Sequence, residues 1–223
     1  MPRRSPRRTL LPWAFLPYIV MSIIHVIARA VESDAAGPTK LWLMPLLALP
    51  VLVSLRARPV LAIALLLIAL VFSWLGDGAG AFFPAGPELP LMLLFFGLAH
   101  VAYIVLFTRV LGSGRLPRWT AVFAVWWIAM IAVLGPHTGG LLPAVGAYGL
   151  ILGATAALAA RCGPVVATGG VFFLVSDTIL AFRLFLPDAA PGWTSPLVML
   201  TYTLGQGLLV GGALLVLRRR ARG

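Results

Sequence analysis

Residues 59–77 read PVLAIALLLIALVFSWLGD. Nothing between the opening proline and the closing aspartate is charged. As a helix the stretch is about 27 Å long at ~1.5 Å per residue, close to the ~30 Å hydrocarbon core of a bilayer. It therefore predicts a membrane-spanning helix, and it ends on a carboxylate. An acid inside such a segment costs about 2.5–3.5 kcal/mol at the helix centre. A second stretch, 164–186 (PVVATGGVFFLVSDTILAFRLFL), carries another. Phe72 and Phe172, Asp77 and Asp177, and Ala81 and Ala181 all share one offset of 100 residues. Two acids in matching apolar contexts are the strongest functional signal in the chain.

The composition agrees with the membrane reading. Of 223 residues, 61% are hydrophobic and 10% are charged, with a mean hydropathy of +1.03; a soluble domain carries about 25% charged residues. The formal net charge of +11 does not indicate a nucleic-acid partner, because the basic residues sit in short clusters between apolar spans. There they set topology and meet anionic headgroups. A single cysteine, Cys162, excludes an internal disulfide and a thiolate cluster. His25, His100 and His137 lack metal-ligand spacing. No metal or cofactor is expected.

Eight spans are predicted: 10–28, 41–55, 59–77 (extending to about Ala81), 90–108, 119–135, 141–160, 164–186 and 194–217. The fold class is an all-α polytopic bundle, with 10–217 as one domain. Residues 1–9 form a basic tail, expected to be disordered and cytoplasmic, and 218–223 a second basic tail. The first span begins after an arginine-rich segment and ends in Ala28-Arg29-Ala30, as a cleaved signal peptide does. Its apolar length favours a retained helix.

With the N-terminus inside, Arg3, Arg4, Arg7, Arg8, Arg56, Arg58, Arg109, Arg115, Arg118, Arg161, Arg218, Arg219, Arg220 and Arg222 fall on the inner side. These are 14 of the 17 basic residues. Arg29, Lys40 and Arg183 fall outside. The asymmetry predicts both termini in the cytoplasm, with a bacterial-type inner (plasma) membrane as the expected location. The 100-residue offset relates the third span to the seventh, as two parallel four-helix repeats would. A chance match between apolar segments is the competing reading.

Several polar groups lie at outer or middle depth. His100 and Tyr103 share a helix face at i, i+3, and Tyr202 and Gln206 share one at i, i+4. Lys40 sits at the outer mouth. These groups and the two aspartates are expected to converge on one outward-opening cavity. Each also has a structural reading. Asp77 at a helix end is simply solvated, and His100 and Gln206 bridge helices. Tyr103 and Tyr202 pack, and Lys40 and Arg183 snorkel. His25 and Arg29 are assigned to structure.

Taken in order, Thr39-Lys40, Met44-Pro45-Leu46-Leu47, Phe72-Ser73-Trp74-Leu75-Gly76-Asp77, Gly97-Leu98-Ala99-His100-Val101-Ala102-Tyr103, Ser176-Asp177-Thr178 with Ala181, and Tyr202 with Gln206 form a pattern. It resembles the lysoplasmalogenase family of YhhN-like integral membrane proteins across about 39–206. The chain departs from the family pattern at Leu41, where a proline usually follows the lysine. The first span and the fifth-to-sixth region carry no matching motif.

The resemblance implies hydrolysis of the vinyl ether bond of lysoplasmalogens to a fatty aldehyde and a glycerophospho-ethanolamine or glycerophospho-choline. Such chemistry needs a carboxylic acid that protonates carbon and a carboxylate that stabilises the cation and activates water, as in glycosidases. Asp177, the deeper acid, is expected to be the general acid, and Asp77 the base; the reverse assignment is the alternative. His100 or Tyr103 is expected to orient one of them. Lys40, Ser176, Arg183, Tyr202 and Gln206 are expected to bind substrate, with Lys40 and Arg183 on the phosphate.

The expected partners are a lysophospholipid and membrane lipids; the sequence does not set the oligomeric state. A small proton-coupled transporter of an amphiphilic solute is the competing function, since paired intramembrane acids suit it too. An intramembrane aspartyl protease is disfavoured because Leu75, not glycine, stands two residues before Asp77.

The topology is directly testable. Green fluorescent protein fused at either terminus should fluoresce and alkaline phosphatase fused at the same place should stay inactive; active phosphatase at either end overturns the assignment for that end.

Overall fold

The structure is a computed structural model that describes residues 7–55 and 59–221. Among the described residues it is all-helical, and eight helices are long and apolar enough to cross a membrane. Hydrocarbon offers no partner for a backbone N–H or C=O, so each span satisfies its own ladder as a helix. The elements are α1 (Arg7–Ala14), α2 (Leu16–Ala30), α3 (Ala36–Val53), α4 (Val60–Asp77), the single turn α5 (Ala79–Phe82), α6 (Glu88–Leu106), α7 (Val122–Leu134), α8 (Leu142–Ala159), α9 (Pro164–Phe185) and α10 (Thr194–Arg220). Helix α6 runs on through a wider turn, Phe107–Leu111.

Several boundaries differ from the sequence expectation. Helix α3 begins at Ala36 rather than residue 41, because Gly37 and Pro38 fall in its first turn, where an unpaired N–H costs nothing. Lys40, expected to open the span, is therefore the fifth residue of the helix. At the N-terminus, the stretch from Arg7 is helical rather than a loose tail, and Arg218–Arg220 belong to α10 rather than to a tail. Basic residues suit a helix C-terminus, where the unpaired carbonyls carry partial negative charge. The expectations for Arg3, Arg4, Arg56, Arg58 and Arg222 lie outside the described residues.

The most extensive packing joins α4 to α6 and α9 to α10. These are the third with the fourth span and the seventh with the eighth. Helices α2 and α3 pack on α10, and α8 packs on both α6 and α9. The α9–α10 seam is the closest. A Cβ on Gly169 would stand 2.7 Å from the backbone nitrogen of Leu209, and one on Gly205 would stand 2.8 Å from that of Phe173. Small residues let helix backbones approach in lipid, where dispersion rather than water expulsion drives association.

The bundle is divided along its length. One end has a packed interior of Leu47, Val51, Ile63, Leu66, Leu106, Phe107, Val166, Leu209 and Leu214, all nearly or fully buried. At that end Arg161 holds the Gly114 carbonyl and Arg220 holds those of Val110 and Leu111. The other end is hollow.

Gly205→Ala should push α9 and α10 apart and destabilise the fold by about 1–3 kcal/mol. Gly37→Ala, with open space around it, should be near neutral. Reversible unfolding in mixed micelles checks the pair, and equal effects would overturn the account of the seam.

Candidate active site

The hollow end encloses a cavity of about 360 Å³, within the usual range of small-molecule sites. Its lining comes from the C-terminal parts of α2, α4, α7 and α9 and the N-terminal parts of α3, α6, α8 and α10. Because successive spans run in opposite directions, these parts all lie at one end of the bundle. Asp77 and Asp177, a hundred residues apart, both line this cavity.

Asp77 is the last residue of α4, yet its side chain is only 2% exposed. It is not a solvated helix-end carboxylate. Lys40 Nζ lies 3.3 Å from Oδ1, and the Tyr202 hydroxyl donates to Oδ2 at 2.7 Å. The early start of α3 makes this contact. Trp74 secures it by donating from Nε1 to the Leu41 carbonyl at 2.9 Å, which ties α4 to α3 beside the ion pair. Lys40 keeps 31% of its side chain exposed, so the pair sits at the cavity rather than in the packed core.

Asp177 lies eight residues before the end of α9, about 12 Å deeper than that end at ~1.5 Å per residue. Tyr148 donates its hydroxyl to Oδ2. Oδ1 has no hydrogen-bond partner, and no cation pairs with this carboxyl, among the described residues. The two acids are thus held differently, one by a cation and a phenol, the other by a phenol alone.

The cavity wall is largely aromatic and aliphatic. Phe96, Trp126, Trp127, Met92, Leu152 and Leu180 contribute. Trp126 Nε1 donates to Thr178 Oγ1 at 3.1 Å and Trp127 Nε1 to the Gly146 carbonyl at 2.9 Å, so both indoles have their polar atom satisfied. Phe96 and Tyr202 of the wall meet each other and the buried Phe173 edge to face. Such a surface suits an apolar chain.

Of the residues singled out in the sequence, the structure brings Lys40, Asp77, Ser176, Asp177, Arg183 and Tyr202 to the cavity. It does not bring His100, Tyr103 or Gln206 there. Tyr103 donates to Gln206 Oε1 at 2.7 Å and Gln206 Nε2 to Ser73 Oγ at 2.9 Å. This closed network joins α4, α6 and α10 beneath the cavity, because a polar group among apolar helices must find a partner there. His100 is fully buried, with both ring nitrogens unpartnered, and its ring meets the edges of Phe173 and Tyr148. Ser176 reaches the cavity, but its hydroxyl is engaged with the Val198 carbonyl at 2.9 Å.

Three lining residues were not assigned to the site from the sequence. Tyr148 lies in a glycine- and alanine-rich span with no motif around it; a lone tyrosine between Ala147 and Gly149 was the one signal available. His25 and Arg29, assigned to structure, both line the cavity. Their i, i+4 spacing near the outer end of the first span was visible in the sequence and was read as structural.

The sequence profile of the YhhN family matches residues 36–213. No curated protein and no solved structure matches the chain.

Lys40→Met should lower stability by about 1–3 kcal/mol, since a buried carboxylate loses a partly exposed cation. Adding Asp77→Asn should recover most of that loss. A double-mutant cycle by unfolding in micelles measures it, and strictly additive effects would show that the pair is not coupled.

Proposed function

The chain belongs to the YhhN family, the family of lysoplasmalogenases, and we propose that its cavity hydrolyses the vinyl ether bond of lysoplasmalogens. Membership by itself points to a membrane enzyme of the lysoplasmalogenase kind. The observation that carries the finer reading is the unequal pair of acids in one cavity: Asp77 held by Lys40 and Tyr202, Asp177 held by Tyr148 with Oδ1 unengaged.

A vinyl ether resists base and yields to acid. In this reading Asp177 Oδ1–H gives its proton to the β-carbon of the alkenyl chain, leaving an oxocarbenium ion whose positive charge is shared between the ether oxygen and the α-carbon. Asp77, kept as a carboxylate by Lys40, stabilises that cation across the cavity and takes a proton from the water that adds to the α-carbon. The product is a hemiacetal. Asp77 returns its proton to the glycerol oxygen as the carbon–oxygen bond breaks, and the hemiacetal hydroxyl gives its proton back to Asp177. The aldehyde and the glycerophospho compound leave, and both carboxyls are restored.

This is the division of labour that paired carboxyls perform in glycoside hydrolysis. Tyr148 and Tyr202 fix the two carboxyls. His100, edge-on to Tyr148, and Tyr103, through Gln206, are positioning residues behind the site. The aromatic wall takes the alkenyl chain. With the arginine-rich end inside, as the charge asymmetry expects, the cavity opens outward.

Asp77→Asn and Asp177→Asn should each lower turnover of a lysoplasmalogen by about 10²–10⁴-fold, the usual contribution of general acid–base catalysis, with unchanged elution and melting. Released aldehyde from purified protein in detergent is the readout. No gradient exists there, so turnover also separates hydrolysis from proton-coupled transport. Near-normal rates in either variant remove that residue from the mechanism.

A further inference from the structure

The chemistry above leaves His25, Arg29 and Arg183 unused at the cavity. Arg29, from α2, donates through Nη2 to Ser195 Oγ. Arg183, from α9, donates through Nη1 to Thr194 Oγ1 at 2.6 Å and to the Pro191 carbonyl at 3.3 Å. Thr194 and Ser195 are consecutive residues at the start of α10. Two helices distant in sequence thus carry their guanidinium groups to one place on a third. Like charges gathered this way repel unless an anion joins them. Among the described residues the one ion pair is Lys40 with Asp77, so neither arginine has a carboxylate partner. A guanidinium has five N–H donors, and the contacts above use few of them.

His25 supplies an independent sign of a ligand. It is 1% exposed, lies one helical turn before Arg29 and lines the same cavity. Its Nδ1 meets Thr39 Oγ1 at 2.9 Å, and that hydroxyl donates to the Ala35 carbonyl at 2.6 Å. Nδ1 is therefore the protonated nitrogen. Nε2 carries a lone pair and has no partner among the described residues. Buried polar atoms are rarely left so.

We propose that Arg29 and Arg183 form an anion subsite for the phosphodiester of a lysophospholipid headgroup, with His25 Nε2 accepting from a hydroxyl of its glycerol. The inference rests on the cavity being a lysolipid site. It assigns the phosphate to the arginine pair and takes it away from Lys40, which is committed to Asp77. Planar guanidinium groups match phosphate oxygens two at a time, and the start of α10 adds its own positive end. A phosphodiester held there leaves the chain to run inward along the tryptophans, past both aspartates.

The test uses purified protein in maltoside micelles and three probes: 1-acyl lysophosphatidylethanolamine, the monoacylglycerol of the same chain, and inorganic phosphate. The acyl lipid has no vinyl ether, so it reports on the subsite whatever happens to hydrolysis. The R29Q/R183Q variant should bind the lysophospholipid about tenfold or more weakly and the monoacylglycerol as the unaltered protein does. If the double variant fails to fold, R29Q and R183Q singly should each show part of the same selective loss, with R183K retaining more affinity than R183Q. A well-folded variant that keeps full lysophospholipid affinity overturns the subsite, as does equal loss for both lipids. Inorganic phosphate binding as tightly as the lysophospholipid would make this a free-anion site and overturn the headgroup assignment. Aldehyde release without selective loss would leave the hydrolase reading standing and remove the subsite; selective loss without aldehyde release would do the reverse.

Discussion

A carboxylate among apolar helices has no water to solvate it, and the site is organised around that constraint. Asp77 is compensated by Lys40 from α3 and Tyr202 from α10, so three helices are fastened at one oxygen pair. Asp177 is fastened to α8 through Tyr148. Removing a charged or polar group from water without a partner costs several kcal/mol. The cost of burying each acid therefore becomes a requirement on its neighbours, and the helices that meet it are held in register.

The same constraint explains the polar residues below the cavity. Tyr103, Gln206 and Ser73 satisfy one another in a chain of two hydrogen bonds. In a soluble protein such groups would draw the eye as a site. Here they join helices, and they do so just under the chamber, where a shift of α10 would move Tyr202. The close α9–α10 seam has the same effect on the other acid. The two halves are thus mechanically linked: the lower half fixes the backbones, and the upper half leaves a cavity between side chains that are already held. Preorganisation of this kind is what the proposed acid–base chemistry needs, since donors must be aimed before charge develops.

The charged rim completes the picture. The cavity is lined by the cations Arg29, Lys40 and Arg183, by the acids Asp77, Glu88 and Asp177, and by aromatic surface. In the proposed reading, a lysolipid brings a phosphate, an ether and an apolar chain to these groups. The fit follows from where charge can be tolerated in a bilayer: near the ends of helices, and deeper only where a partner is supplied.

Much of this was legible in the chain itself. Long uncharged runs such as 60–76 admit only helices in hydrocarbon, so the all-helical fold and the eight spans followed from local chemistry. The two aspartates were visible for the same reason, as acids where apolar residues are expected. What the sequence could not supply was which groups reach them. The second span was started at residue 41, although Gly37 and Pro38 are harmless in a first turn and the helix begins at Ala36. Tyr148 was invisible because its importance lies in facing Asp177 from another helix. His25 and Arg29 looked structural for want of a partner in sequence, and Gln206 looked functional although its partners lie beneath the chamber. Hydropathy is a property of each segment alone, whereas the partner of a buried polar group is chosen by how helices rotate and pack, and only the tertiary structure decides that.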